Sequence, residues 1–269
     1  MNAPEARLAV EPHVLETRDG AGVVTLTLNR PQQFNALSEE MMTALQSRLD
    51  KLAADPAVRV VILAGAGKAF CAGHDLKQMK DNPSLDYYRA LFAQCTKLML
   101  SLQRMPQPVI ARVHGVATAA GCQLVATCDL AVAVDGVRFG VSGINVGLFC
   151  TTPGVALARN VGRKEAFEML VTGDMIDAST ARARGLVNRV VPVDQLDAEI
   201  AMLARSIVGK PAAAIAMGKE MFYRQIECGI EAAYQMAGQT MACNLIDPVA
   251  QEGIDAFIAK RKPGWALPG

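Results

Sequence analysis

Two short segments combine glycine with other small residues and could bring backbone N–H groups close to a bound ligand. The first is Phe-Cys-Ala-Gly-His-Asp-Leu at 70–76, and the second is His-Gly-Val-Ala-Thr-Ala-Ala-Gly-Cys-Gln at 114–123. Small residues let the chain approach a ligand closely, and the second segment leads into a predicted helix over 122–127. The first N–H groups of a helix are unpaired and lie at the positive end of its dipole. Facing each other, the two segments would stabilise an oxyanion, whereas either one alone is more typical of a tight turn.

A third glycine-containing segment, Gly-Ala-Gly-Lys at 65–68, follows a predicted strand as a nucleotide-binding loop would. The dinucleotide fingerprint needs Gly or Ala at its sixth position, where this sequence has Phe70. The phosphate-binding loop needs Gly before the Gly-Lys pair and Ser or Thr after it, where Ile62 and Ala69 stand. Both motifs fail, which favours a plain turn and disfavours a nicotinamide-dependent oxidoreductase.

The histidine and cysteine side chains show no spacing typical of a metal site or a nucleophile. His13 and His114 have no helical His/Glu partner, so we expect no bound metal. Cys71, Cys122 and Cys150 lie in apolar or small-residue segments and are interpreted as small buried hydrophobes. The chain has seven cysteines and no C-x-x-C pair, which indicates a reducing compartment.

Strands and helices that alternate along the first two thirds of the chain must position the small-residue segments. After about Thr152 the pattern is helical to the end. The order of elements predicts an α/β fold built from units with crossover connections. Strand patterns occupy 23–28, 60–63, 109–113 and 129–134, and helical patterns before residue 152 occupy 41–52, 84–105 and 122–127.

Composition and charge exclude several broad classes of protein. Lys and Arg total 27 against 26 Asp and Glu, a formal net charge of +1, which argues against a general nucleic-acid or membrane-surface binder. The longest apolar stretch, 115–134, contains Gln123 and Asp129 and is interpreted as a helix and a strand rather than a membrane span. Residues 1–11 have neither the apolar core of a signal peptide nor a transit pattern. We therefore expect a cytoplasmic protein.

Three longer segments resemble the crotonase (enoyl-CoA hydratase/isomerase) superfamily in their order and spacing. They are Leu-Asn-Arg-Pro-Gln-Gln-Phe-Asn-Ala-Leu at 28–37, the segment at 70–76, and the segment at 115–129. Residues 117–126 of the last segment, together with 145–159, are similar to one subgroup of that superfamily. The resemblance covers nearly the whole chain.

The resemblance implies a crotonase-like spiral of ββα units over residues 1–195. It implies a helical C-terminal region, 196–269, that is used in oligomerisation, so a homotrimer or a dimer of trimers (a homohexamer) is expected. The ligand would be an acyl-CoA thioester, with coenzyme A as part of the substrate and no metal, flavin or nicotinamide. The implied reactions are those of lyases and isomerases of fatty acid metabolism.

By position, the resemblance implies that the backbone N–H groups of His74 and Ala120 hold the thioester oxygen. It implies that Lys260 reaches the phosphates of coenzyme A, although a solvated charged face explains Lys260 equally well. Asp75 is also expected to cap the following helix or to orient the loop, rather than to act as a base. The residues implied along the coenzyme A arm are Arg30, Phe34, Ala72, His74, Asp75, Leu76 and Lys77.

Both acidic residues that hydratases of this superfamily use are absent by position. The glutamate expected three residues after the second oxyanion donor is Gln123, and the second glutamate falls at Gly143, after Phe139-Gly140. Hydration needs a base to activate water and an acid to protonate the α-carbon, and neither an amide nor glycine does this. His74 is the candidate substitute because imidazole titrates near neutrality; the alternative is that its ring packs beneath the loop.

The sequence therefore predicts an acyl-CoA thioester-binding member of the enoyl-CoA hydratase/isomerase family with an oxyanion hole and slow ordinary hydration. One alternative is a decarboxylase or another enolate-forming enzyme, because the Gly-His-Asp turn at 73–75 resembles crotonase-type methylmalonyl-CoA decarboxylase. The other alternative is a non-catalytic acyl-CoA binder.

Overall fold

The computed structural model describes residues 11–266, which form ten strands and eleven α-helices. The strands are β1 (Val14–Arg18), β2 (Val23–Leu28), β3 (Val60–Gly65), β4 (Ala69–Cys71), β5 (Val109–Val113), β6 (Val116–Thr118), β7 (Leu130–Val134), β8 (Arg138–Gly140), β9 (Ile176–Asp177) and β10 (Arg189–Val191). The helices are α1 (Glu39–Ala53), α2 (Leu76–Asp81), α3 (Leu85–Arg104), α4 (Ala120–Thr127), α5 (Thr151–Asn160), α6 (Arg163–Thr172), α7 (Ala178–Ala183), α8 (Leu196–Val208), α9 (Ala212–Gln225), α10 (Ile230–Ile246) and α11 (Pro248–Ile258).

The strands build two sheets. One has the strand order β1-β2-β3-β5-β7-β10, and the other has the order β4-β6-β8-β9. Pairing is parallel except at the β1–β2 and β8–β9 edges. Strand β3 is buried along five of its six residues, and β5 and β7 are each buried along four of five, as expected for central parallel strands covered on both faces.

Two strands followed by helix form a unit that recurs three times along the chain. The units are β3-β4 with α2 and α3, then β5-β6 with α4, then β7-β8 with α5. In each unit the first strand joins the larger sheet and the second joins the smaller one. The α/β architecture predicted from the sequence is therefore present in the described part of the chain.

The helices predicted at 41–52, 84–105 and 122–127 are all present, with ends shifted by a few residues at most. The prediction that the chain is entirely helical after Thr152 is wrong, because β9 and β10 lie in that part. Strand β10 pairs with β7 and extends the larger sheet, and β9 pairs with β8. Both strands have two or three residues, which is too short to give a periodic pattern.

The C-terminal helices differ in how deeply they are buried. Helix α8 places Leu196, Ile200, Ala204 and Val208 in the hydrophobic core. In contrast, α9, α10 and α11 each bury a single residue. Residue 196, where the sequence predicts the helical region to begin, is thus the start of a helix that belongs to the core.

Among residues 11–266, no single helix is long and apolar enough to cross a membrane. Taken together, the segments Val193–Val208 and Ala212–Gln225 have the length and composition of a membrane span, but the chain bends by 102° between them.

Candidate active site

Three neighbouring strands of the smaller sheet end at the same edge. Strands β4, β6 and β8 are mutually parallel and adjacent in the order β4-β6-β8. His74 follows β4, Ala120 follows β6, and Gly143 follows β8. Because parallel strands direct their carboxyl ends to one edge, the fold brings these three sequence-predicted positions together.

The loop after β4 lies against the start of α4. Gly73 has φ +94°, and a Cβ atom there would lie 2.8 Å from Ala119 Cβ and 3.1 Å from the Ala120 nitrogen. The backbone N–H groups of His74 and Ala120 donate to no acceptor among the described residues. Two unpaired donors thus occupy adjoining segments.

The residue before Ala120 has an unusual backbone conformation. Ala119, the N-cap of α4, has φ 50° and ψ −122°, a backbone region that residues other than glycine rarely adopt. Such a conformation costs roughly 1–3 kcal/mol and persists only where the surroundings enforce it. Here the Ala119 N–H donates to the Gly140 carbonyl at the end of β8 over 2.9 Å. This bond fixes the start of α4 and with it the direction of the Ala120 N–H.

The position of the first missing acid, Gln123, is buried in α4 with 5% of its surface exposed. Its side-chain oxygen Oε1 has no hydrogen-bond partner among residues 11–266. All eight residues of α4 are buried. A neutral amide in this place can orient a water but cannot remove its proton.

The position of the second missing acid, Gly143, has no room for a side chain. A Cβ atom there would lie 2.4 Å from the Leu148 carbonyl oxygen and 2.7 Å from the Cys150 sulfur. The Leu148 N–H donates to the Gly143 carbonyl over 3.0 Å, and this hydrogen bond closes the loop between the two residues. Burial raises the pKa of the Cys150 thiol, so a neutral thiol occupies the space.

The His74 ring packs against the protein rather than standing free in solvent. Its centroid lies 5.5 Å from that of Phe92 in an edge-to-face arrangement, and Nδ1 is 3.3 Å from the Leu37 carbonyl oxygen. Nε2 is buried and has no partner among the described residues. Burial lowers the pKa of His74 below its usual 6.5, which keeps the ring neutral. The interpretation that the ring packs beneath the loop agrees with these contacts.

We expect His74 to make the stability of the protein depend on pH. Its folded-state pKa is depressed, so an unfolded chain takes up a proton near pH 6.5 that the folded chain accepts only at lower pH. The stability that the neutral ring contributes is present above pH 6.5 and is lost as the pH falls below it. His74→Asn retains a donor for Leu37 and removes the titration. Urea unfolding at pH 7.5, 6.5 and 5.5 should show the wild type losing stability relative to this variant. A constant difference would contradict the assignment.

Asn35, which belongs to the segment 28–37, is a positioning residue to which the sequence assigns no role. It is fully buried at φ 54°, and its Oδ1 accepts the Arg30 N–H over 2.9 Å. Its Nδ2 lies 2.8–3.2 Å from the carbonyls of Ala66, Ala69 and Phe70, which frame β4. One side chain thus fixes the entry to the loop that carries His74. A buried asparagine with left-handed φ needs such partners, but the sequence cannot identify them.

The segments predicted to line the coenzyme A arm lie side by side. The Ala72 N–H donates to the Phe34 carbonyl over 3.0 Å, and the Leu37 N–H donates to the Gly73 carbonyl over 2.7 Å. Phe34 is 55% exposed and Leu76 is 57% exposed. These contacts leave apolar surface open to solvent beside the two unpaired donors.

The charged residues that are expected to contact coenzyme A have different surroundings. Asp75 caps α2 by accepting the N–H groups of Lys77 and Gln78, as predicted. Arg30 contacts His13 over 2.6 Å, and Lys77 is exposed. Lys260 follows α11 at φ 54°, and no hydrogen bond or ion pair within residues 11–266 joins it to residues 30–35 or 71–77. No group of three His, Cys, Asp or Glu side chains in the described range is arranged to hold a metal ion.

The sequence matches the enoyl-CoA hydratase/isomerase family over residues 18–267. It is 48% identical over 244 residues to enoyl-CoA hydratase domain-containing protein 3, mitochondrial, of Xenopus laevis, covering 91% of this chain and 83% of that protein. Among solved structures, an enoyl-CoA hydratase of Mycobacterium smegmatis has a TM-score of 0.94 at 65% identity, covering 95% and 99% of the two chains. Human enoyl-CoA hydratase domain-containing protein 3 has a TM-score of 0.91 at 43% identity, covering 94% and 100%.

These likenesses confirm the predicted crotonase-like fold with its helical C-terminal region. They also confirm the subgroup indicated by segments 117–126 and 145–159.

The prediction of a cytoplasmic location is wrong by the same comparison. Relatives from mouse, frog, rat, human and zebrafish, 42–48% identical to this chain, are all named mitochondrial. The prediction rested on residues 1–11, nearly all of which lie outside the described range, and on composition. Net charge and unpaired cysteines do not distinguish one reducing compartment from another, so composition could not decide the location.

Proposed function

The chain belongs to the enoyl-CoA hydratase/isomerase family, and we propose that it binds an acyl-CoA thioester and stabilises the enolate formed from it. The observation that carries this proposal is the pair of unpaired backbone N–H groups at His74 and Ala120 on adjoining segments. A thioester enolate gathers negative charge on its oxygen, and each preorganised donor contributes about 3 kcal/mol of transition-state stabilisation. Coenzyme A takes part only as the carrier of the acyl group, and no further cofactor is needed.

The same proposal includes slow ordinary hydration. Gln123 and Gly143 stand where the two acids would act, and segments 71–74, 118–123 and 140–150 contain no Asp or Glu. General acid–base groups contribute roughly 10²–10⁴-fold each, so their loss removes most of a hydratase's rate. The neutral, buried ring of His74 packs on Phe92 and offers a poor substitute for a carboxylate base.

Hydration of crotonyl-CoA tests this proposal. We expect the wild type to bind coenzyme A thioesters with little turnover, and Gln123→Glu to hydrate crotonyl-CoA roughly 10- to 100-fold faster because one carboxylate is restored. Gly143→Glu is not a suitable second variant, since a Cβ atom there would lie 2.4 Å from the Leu148 carbonyl oxygen. Absorbance of the conjugated thioester follows the reaction, and calorimetric titration with coenzyme A follows binding.

The control is Gln195→Glu, at an exposed glutamine that lies outside the site. It should leave hydration unchanged. Rapid hydration by the wild type that survives Gln123→Ala would refute the account of the missing acids. Binding without turnover of any acyl-CoA would leave the protein a non-catalytic binder.

Decarboxylation of a 2-carboxyacyl thioester is a second candidate. It breaks the bond between the α-carbon and the carboxylate, releases carbon dioxide and leaves an enolate that the two N–H donors would stabilise and water would protonate, so no base has to remove a proton from carbon. The lack of Asp or Glu in the three site segments favours it, because no carboxylate there repels a carboxylate on the substrate. Release of carbon dioxide from methylmalonyl-CoA would distinguish it from simple binding.

The contacts of the coenzyme A arm and of the oligomer are proposed from exposed side chains and from family position. The exposed Phe34 and Leu76 would contact the coenzyme A arm, with Arg30 and Lys77 beside its polar groups. We assign Lys260 to the phosphates only by family position. Helices α9 to α11 would carry the contacts of a homotrimer or a dimer of trimers, since they expose large apolar side chains. These include Phe222, Ile230, Tyr234, Met241, Ile246, Phe257 and Ile258.

A further inference from the structure

Arg30 keeps its positive charge beside the candidate site without a carboxylate partner. No ion pair within residues 11–266 includes it, whereas Arg18 and Arg48 lie 2.7 and 3.1 Å from a carboxylate oxygen. The segment of Arg30 borders the loop that carries His74, because two backbone hydrogen bonds join residues 34 and 37 to residues 72 and 73. A guanidinium group in this place is available to an anionic part of a ligand.

Two side chains hold the guanidinium group of Arg30 in one orientation. Its Nε donates to Gln33 Oε1 over 2.9 Å, and its Nη1 lies 2.6 Å from His13 Nε2. The backbone at His13 is fixed, since its carbonyl accepts the Asn29 N–H over 2.7 Å and the Asn29 side chain donates to the Pro12 carbonyl over 3.1 Å. Nη2 of Arg30 has no partner among the described residues. The two contacts therefore orient the guanidinium group and leave Nη2 and the second hydrogen of Nη1 for a ligand.

The contact with Arg30 determines the state of the His13 ring. A guanidinium group has N–H donors and no acceptor, so His13 Nε2 must be the acceptor. The ring is then neutral with its proton on Nδ1, because a protonated imidazole has no nitrogen that can accept. A carboxylate in this place would orient Arg30 equally well but would also neutralise its charge. The neutral imidazole orients the guanidinium group and leaves its positive charge for another anion.

We infer that His13 is a positioning residue that holds the Arg30 guanidinium group for a phosphate of the coenzyme A arm. The inference rests on the proposed function, because it takes a coenzyme A thioester as the ligand. Phosphate oxygens accept paired N–H bonds from an arginine only when the planar group is correctly oriented, so the orientation of Arg30 decides the strength of this contact. His13 touches no part of the ligand and acts through Arg30.

Calorimetric titration with butyryl-CoA, and with S-butyryl-pantetheine, which has the same thioester and no phosphate, tests the inference. We expect His13→Leu to weaken the binding of butyryl-CoA about tenfold, because the guanidinium group is no longer held for a charge-assisted hydrogen bond. The affinity for butyryl-pantetheine should not change. His13→Gln supplies an amide oxygen as the acceptor and should recover most of the affinity for butyryl-CoA. In an Arg30→Met background, His13→Leu should have no further effect.

Glu16→Gln is the matched control, because it removes the charged partner of a different arginine, Arg48, from strand β1, which begins next to His13. It should leave the binding of butyryl-CoA unchanged. The inference is overturned if His13→Gln binds butyryl-CoA as weakly as His13→Leu, or if His13→Leu weakens binding equally in the Arg30→Met background. If the wild type binds no thioester at all, the proposed function fails instead, so the two failures are distinguishable.

Discussion

Gly121→Ala is expected to destabilise the protein by about 3 kcal/mol or more and to abolish thioester binding. A Cβ atom at Gly121 would lie 2.0 Å from the Cys71 carbonyl oxygen and 2.7 Å from its carbonyl carbon. Both are backbone atoms at the end of β4, so neither can rotate away. Helix α4 or the loop that carries His74 must move, and either movement separates the two N–H donors. Urea unfolding and titration with coenzyme A thioesters measure the two effects.

The matched control for this substitution is Gly218→Ala in α9. Nothing lies within 4 Å of a Cβ atom at Gly218, and the residue is inside a helix. Alanine is favoured over glycine in a helix interior by roughly 1 kcal/mol, so Gly218→Ala should stabilise slightly and leave binding intact. If Gly121→Ala instead behaves like Gly218→Ala, the close packing of α4 on β4 is not what holds the site together.

The sequence predicted the longer elements well because their periodicity is strong. Strands β3 and β5 and helices α1 and α3 carry continuous or periodic apolar residues, and they were predicted close to their final bounds. The smaller sheet could not be predicted in this way, since β4, β6 and β8 have three residues each. These short strands nevertheless determine the site, because their shared edge brings His74, Ala120 and Gly143 together.

The candidate site was predicted by position along the chain rather than by physical chemistry. Counting from the small-residue segments gives Gln123 and Gly143, but nothing in the sequence shows that Gly143 faces the Leu148 carbonyl and the Cys150 sulfur. That contact depends on a tight turn over 142–150. The roles of these residues stay predictions, while their placement around one edge is a property of the fold.

The hydrogen bonds of Lys219 join residues that lie far apart in the sequence. Its Nζ donates to the carbonyls of Leu102 and Gln107 over 2.8 and 2.9 Å and to Asp129 Oδ2 over 2.6 Å. The Tyr223 hydroxyl donates to the other oxygen of Asp129 over 2.8 Å. Asp129 begins the return from α4 to β7, so this buried cluster fastens α9 to the core beside the site helix.

Lys219→Met is expected to destabilise the protein by about 3–5 kcal/mol, because it leaves the Asp129 carboxylate buried with its cation removed. The side chains of Lys219 and Asp129 are only 6% and 13% exposed, so solvent cannot replace the lost partner. Arg224→Met is the control on the same helix, since the Arg224–Glu220 pair is 64% and 70% exposed and contributes under about 0.5 kcal/mol. Urea unfolding measures both variants.

Adding Asp129→Asn to Lys219→Met should restore part of the loss, because the second change removes the unpaired charge. Removal of the charge matters more than loss of one acceptor, since the single amide oxygen can accept the Val109 N–H that Asp129 Oδ2 now accepts over 2.6 Å, and the Tyr223 hydroxyl can accept from the amide nitrogen. If the double variant is less stable than Lys219→Met, the attachment of α9 depends on the contacts of the carboxylate itself rather than on neutralising its charge.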